Sequence, residues 1–207
     1  MLNDKCDGMK DNSQMPTFVF LPATAPDDAA YGEPPGRLGC CPDAIIRHVR
    51  FPGLVWYNKS VQDDAIAQIR SFGAETAALI GFSKSGLGAW NIAMAIPDLA
   101  SATVIFDAPV ARRTLPPWGT DPFYADDDAW RQDLPILHVK RFHETMSRSH
   151  KLVLVAGPAF REEMRALSKA LSSLGRRHVF LDRPDMKHHW NSGWIEPAVT
   201  ALLEYKE

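Results

Sequence analysis

The chain has 207 residues, 45 % of them apolar and 23 % charged, the composition of one ordinary globular domain rather than of a disordered, collagen-like or coiled-coil chain. Its 23 basic and 25 acidic residues leave a net charge of −2, which lacks the basic footprint of a nucleic-acid or anionic-membrane binder. Three cysteines, two of them the neighbours Cys40 and Cys41, read as thiols of a reducing compartment rather than a disulfide framework. No run approaches the roughly 18 apolar residues of a membrane span, and the first residues lack a basic-then-apolar leader, so the expectation is a soluble cytoplasmic protein.

From the N-terminus, residues 1–15 are polar and aperiodic and are expected to form a loose arm ahead of a single domain over 16–207. Residues 17–21 are apolar at every position and stop at Pro22, the pattern of a strand inside a parallel sheet. Prolines at 22, 26, 34, 35 and 42, with Gly32, Gly36 and Gly39, make the next stretch a long loop. A more polar strand follows over 45–51. Ser60, with Asp63 three residues later, predicts a capped helix whose apolar positions are Val61, Ala65, Ile69 and Phe72, ending at Gly73.

A buried strand over 77–82 runs almost directly into a helix marked by Leu87, Trp90, Ala93 and Met94 and stopped at Pro97. After a strand over 102–106, the proline-rich segment 108–135 reads as an irregular, cap-like insertion. A helix is expected over 136–147, a strand over 151–156, and an amphipathic helix carrying Phe160, Met164, Leu167, Leu171 and Leu174. The last strand, 178–181, precedes a C-terminal helix with Ile195, Val199, Leu202 and Leu203. Strands alternating with helices predict a doubly wound, mainly parallel α/β sheet of about six strands with helices on both faces. Ligands of such sheets bind at the carboxyl ends of the strands.

One strand-to-helix junction carries a chemical signature. Gly81-Phe82-Ser83-Lys84-Ser85-Gly86 places small residues two before and two after a serine. That spacing is required where a tight turn forces the serine into a strained conformation and lifts its hydroxyl above the sheet at a helix N-terminus. There the Lys84 amide can point at a developing oxyanion. The same residues could instead be a serine capping a helix after a glycine turn; their place at a junction in an alternating series favours the chemical reading. A phosphate-binding loop needs glycine directly before the lysine, where Ser83 stands, and the first strand-to-helix connection has no Gly-x-Gly, so nucleotide readings fail.

A second signature is Pro184-Asp185-Met186-Lys187-His188-His189-Trp190, between the last strand and the last helix. A histidine there can fold over the sheet edge toward Ser83, and only one of the neighbours can reach a given hydroxyl. The other five histidines read as surface or capping residues. No group of Cys, His or carboxylates has metal-ligand spacing, and neither a metal nor an organic cofactor is expected.

In this order the elements resemble the α/β-hydrolase family, across roughly residues 17–206, and in particular its compact esterase-like members that lack the leading antiparallel strands. The resemblance implies a Ser…Asp/Glu…His order. It maps the nucleophile to Ser83 and the base to His188, with His189 as the alternative, and it points to the Ala23 amide, or that of Thr24, as second oxyanion donor. The family's common acid position beyond residue 156 is filled by Phe160. The acid then falls to Asp107, behind the strand 102–106, or to Glu162, although Glu162 and Glu163 suit solvated first-turn charges better. Trp118 and Trp190 are expected at the substrate-binding edge; Arg112, Arg113 and the aromatics of 108–135 read either as a partly cationic wall over the site, suiting an acyl or carboxylate-bearing substrate, or as plain surface packing. The activity so implied is hydrolysis of a small-molecule carboxylic ester through an acyl-enzyme; an inactive binding protein and an acyltransferase are the alternatives.

Overall fold

The computed structural model describes residues 15–23, 30–121 and 123–205. Most of the expected arm, with Thr24, Pro122 and residues 206–207, lies outside them. Six strands form one parallel sheet: β1 (Thr17–Leu21), β2 (Ile45–His48), β3 (Ala77–Phe82), β4 (Ala100–Phe106), β5 (Lys151–Ala156) and β6 (Val179–Asp182), in the order β2-β1-β3-β4-β5-β6. The inner strands β1, β3, β4 and β5 are buried almost throughout, which is why they read as continuous apolar runs. The edge strands β2 and β6 keep Arg47 and Asp182 exposed.

Two apolar layers cover the sheet. On one face pack α1 (Lys59–Ser71), α2 (Lys84–Ala95) and α5 (Arg161–Ser173), with the short α3 (Asp127–Gln132) and α4 (Val139–Thr145); on the other lies α6 (Ile195–Leu203), joined by Leu38, Cys41, Trp190 and Trp194. Successive connections run from β1 outward to β2, then back past β1 to β3 and onward to β6. The direction of winding therefore switches between β1 and β3, and a crevice opens where their carboxyl ends diverge.

Several local expectations change. Asn58, not Ser60, caps α1: its Oδ1 accepts from Val61 N at 3.1 Å, which draws Ser60 into the first turn. The insertion 108–135 contains α3, capped by Asp126 and anchored by the single buried Trp130, too short a helix to leave a period in the sequence. The helix expected over 136–147 begins as a 3-10 turn at Pro135–Leu137 before α4.

His150 is a core residue, 2 % exposed, not a surface one. Its Nδ1 donates to Ala100 O at 2.8 Å, and its Nε2 lies 3.1 Å from the Thr103 hydroxyl. Burial, with help from the Arg176 charge, pushes its pKa down to about 4. The unfolded chain, with an ordinary histidine near 6.5, binds a proton that the folded chain refuses. Folding is therefore expected to lose about 3 kcal/mol through this group as pH falls from about 6.5 to about 4, and none above that window. Urea unfolding across it should show a pH slope that His150→Gln reduces; an unchanged slope would place the acid sensitivity elsewhere.

Candidate active site

The crevice holds the Gly81–Gly86 turn. Ser83 sits between β3 and α2 with φ 55° and ψ −122°, a conformation that costs a non-glycine residue on the order of 1–3 kcal/mol and persists only where its surroundings impose it. The Ser85 hydroxyl bridges the turn, accepting from Phe82 N and donating to Phe82 O, each at 2.9 Å. Ser83 N donates to Phe106 O at 3.0 Å, which ties the turn to β4. A Cβ on Gly81 would run into the Ser85 carbonyl, and one on Gly86 would meet the Ala108 methyl at 2.7 Å, so both positions need a residue without a side chain.

His188 Nε2 lies 3.0 Å from Ser83 Oγ, and His188 Nδ1 lies 2.7 Å from Asp107 Oδ2. The carboxylate accepts from His188, so Nδ1 carries the proton and Nε2 is left to accept from the serine hydroxyl. Asp107 is fully buried with φ 44°, directly behind β4, and its backbone N–H donates to Val155 O at 2.9 Å. The loop after β5 completes its shell: Ala159 N donates to Oδ2 at 3.0 Å and Phe160 N to Oδ1 at 2.8 Å. A buried carboxylate is tolerable only when satisfied in this way. Gly157 lets that loop approach, since a Cβ there would stand 2.6 Å from Asp107 Cγ.

The other candidates are engaged elsewhere. Glu162 pairs with Arg165 at 3.0 Å, and Glu163 takes the Ala111 amide at 3.0 Å and the Arg112 side chain at 3.4 Å. Arg161 and Arg165 hold the Asp182 carboxyl well below the usual carboxylate range, and Asp185 pairs with Arg183. His189 Nδ1 accepts from Asn191 N at 3.1 Å, while its ring packs on Gly32, where a Cβ would run into it and the φ of 66° itself favours glycine. Among the described residues no cluster of His, Cys, Asp or Glu could hold a metal ion, and no helix is long and apolar enough to cross a membrane.

Ala23, Tyr31, Phe82, Ser83, Lys84 and Trp190 line a cleft of about 10 Å³, room for about one water-sized group. Ala23 is placed indirectly: Tyr57 OH donates to Pro22 O at 2.9 Å, and the Tyr57 ring lies on Gly88 of α2, tying the end of β1 to the helix that begins at Lys84. Tyr31 is clamped over the cleft by Trp190 N, which donates to its carbonyl at 2.8 Å. Its ring centroid is 6.3 Å from that of His188 and 5.1 Å from the Lys84 ammonium, which also lies 5.3 Å from Trp56.

No protein-family model matches the sequence, and no curated protein sequence matches it. Solved structures do. The chain is similar to a ferulic acid esterase, at 15 % identity and TM-score 0.62, over 96 % of this chain and 87 % of that one. It is also similar to Mycobacterium tuberculosis MPT51, at 12 % identity and TM-score 0.64, over 93 % and 89 %. A third neighbour is Porphyromonas gingivalis dipeptidyl peptidase 4, at 12 % identity and TM-score 0.64, where 92 % of this chain spans 31 % of the other. The chain has the α/β-hydrolase fold.

Within that hydrolase fold the tryptophans divide. Trp190 is buried and stands edge-on to Phe82, its centroid 5.3 Å away, so it forms the cleft's inner wall. Trp118 is 44 % exposed and does not line the cleft; its ring lies 5.8 Å from that of Phe160. Trp194 stacks on Phe106 at 4.5 Å in the core beneath α6. Sequence reasoning missed Ser85, Tyr31, Tyr57 and the Ala159 and Phe160 amides. Only Ser85 left a signal, being a hydroxyl where the turn needs merely a small residue.

Proposed function

We propose that the protein is a serine hydrolase that cleaves a small carboxylic ester through Ser83, His188 and Asp107. The observation that carries this reading is the continuous relay from a buried, fully hydrogen-bonded carboxylate through one imidazole to a serine held at positive φ. The names of two structural neighbours, an esterase and a peptidase, agree with acyl chemistry on this fold.

Ser83 Oγ attacks the ester carbonyl as its proton passes to His188 Nε2, and the imidazolium is held by Asp107. The carbonyl oxygen takes up negative charge facing the Lys84 amide, at the start of α2 where the helix dipole adds to its effect, and the Ala23 amide beyond the end of β1. The C–O bond to the alcohol breaks, and His188 returns the proton to the leaving oxygen. Water then enters, gives a proton to His188 and attacks the acyl-enzyme; that proton returns to Ser83 Oγ as the acid departs. A serine-reactive fluorophosphonate is expected to give a single adduct per chain, mapped by peptide mass spectrometry to Ser83. No adduct, or one on another residue, would remove the assignment.

A further inference from the structure

Beyond the relay, an apolar strip leads from His188 to the surface. The Phe160 ring lies 5.6 Å from the His188 ring, the Trp118 ring 5.8 Å from that of Phe160, and the Arg112 guanidinium carbon 4.9 Å over Trp118. The outer end of this strip is exposed, and its backbone is hydrogen-bonded. Trp118, 44 % exposed, has its carbonyl fixed by Trp56 Nε1 at 3.2 Å, and the turn that follows is pinned by Thr120 Oγ1 donating to Pro116 O at 2.7 Å. Leu54, 41 % exposed, lies beside Gly119 and widens the apolar patch. A large exposed aromatic joined through Phe160 to a reactive site marks a contact surface.

Arg112 ends the strip in an unusual state. Its Nε faces Glu163 Oε1 across 3.4 Å without making a hydrogen bond, although that atom is buried, and its guanidinium donates to no described residue. Glu163 is itself fixed by the Ala111 amide at 3.0 Å. The planar fork is therefore positioned by an ion pair and a ring, with its donors unspent, an arrangement suited to a carboxylate.

One geometric fact assigns the strip to one side of the substrate. The strip starts at His188, the group that hands a proton to the leaving oxygen, and so receives the alcohol portion. We propose that the site, read as an esterase, selects esters of alcohols that are apolar near the ester oxygen and end in a carboxylate, and that Arg112 is the residue that sets this preference. The inference rests on the proposed hydrolase function.

The test compares acetyl esters of ω-hydroxyalkanoic acids of four to eight carbons with n-alkyl acetates of equal length, following acetate release. The wild-type protein is expected to favour the acids by about tenfold in kcat/KM at the longer lengths, chiefly through KM. Arg112→Gln should bring that preference within twofold, and Arg112→Lys should retain part of it. A wild-type preference for the uncharged esters at every length, or a preference that Arg112→Gln leaves in place, would overturn the proposal. Release of acetate from neither series would count against the hydrolase reading. The subsite is read independently by calorimetry of 8-hydroxyoctanoate, whose binding should weaken about tenfold in Arg112→Gln; equal binding by both proteins would overturn it.

Discussion

Asp107→Asn is expected to lower kcat/KM for a short activated ester by about 10⁴-fold and to destabilise the fold by about 2 kcal/mol. Both effects follow from the three donors that converge on this side chain: His188 Nδ1 and Ala159 N on Oδ2, and Phe160 N on Oδ1. An asparagine offers one acceptor oxygen and one donor NH2. If the NH2 takes the place of Oδ2, it meets the Ala159 amide and forces His188 into the tautomer whose Nε2 carries a hydrogen. That nitrogen cannot then take the Ser83 proton. If the NH2 takes the place of Oδ1, it faces Phe160 N and leaves two buried donors opposed, which costs stability instead. Steady-state kinetics and denaturant unfolding of the same variant measure both terms. A loss below tenfold would reduce Asp107 to a structural residue.

The chain's alternation of apolar runs and amphipathic segments was legible because parallel inner strands are buried on both faces and their helices on one. The apolar runs 17–21, 77–82 and 151–156 coincide with β1, β3 and β5. Short elements escaped: α3 has one buried residue, and Pro135 leaves no periodic trace of the 3-10 turn. Ser60 and Asp63 imitate a capping pattern two residues beyond Asn58 and so hide the true cap in the sequence; in the structure Lys59 pairs with Asp63 instead.

At the site, local geometry was readable and long-range support was not. The strain at Ser83 is dictated by its neighbours Gly81 and Gly86, so it shows in six consecutive residues. His188 could be placed near it because a connection leaving the last strand must pass over the carboxyl edge. What holds Asp107 comes from backbone amides 52 and 53 residues away, which carry no side-chain identity to read. The phenylalanine standing where the fold's acid is commonly found is instructive. Its amide serves the acid from the neighbouring strand, and its ring packs against the base. Tyr57 likewise acts through a hydroxyl on Pro22 O and a ring on Gly88, two contacts that exist only after folding.

Ser83→Ala carries the largest expected effect. Alanine keeps the backbone of the turn and all the hydrogen bonds made by Ser85, Phe106 and Asp107, so the fold should persist. It removes the one oxygen that can bond to the acyl carbon, and His188 Nε2 is left without the hydroxyl 3.0 Å away. The remaining amides can still polarise a carbonyl, so a residue of rate above water survives while the covalent route is lost. The most direct measurement is kcat/KM for 4-nitrophenyl acetate with the wild-type protein and Ser83→Ala, purified side by side and matched for folding by circular dichroism. A fall on the order of 10⁵-fold in the variant is predicted; rates within tenfold of each other would contradict the assignment of Ser83 as the nucleophile.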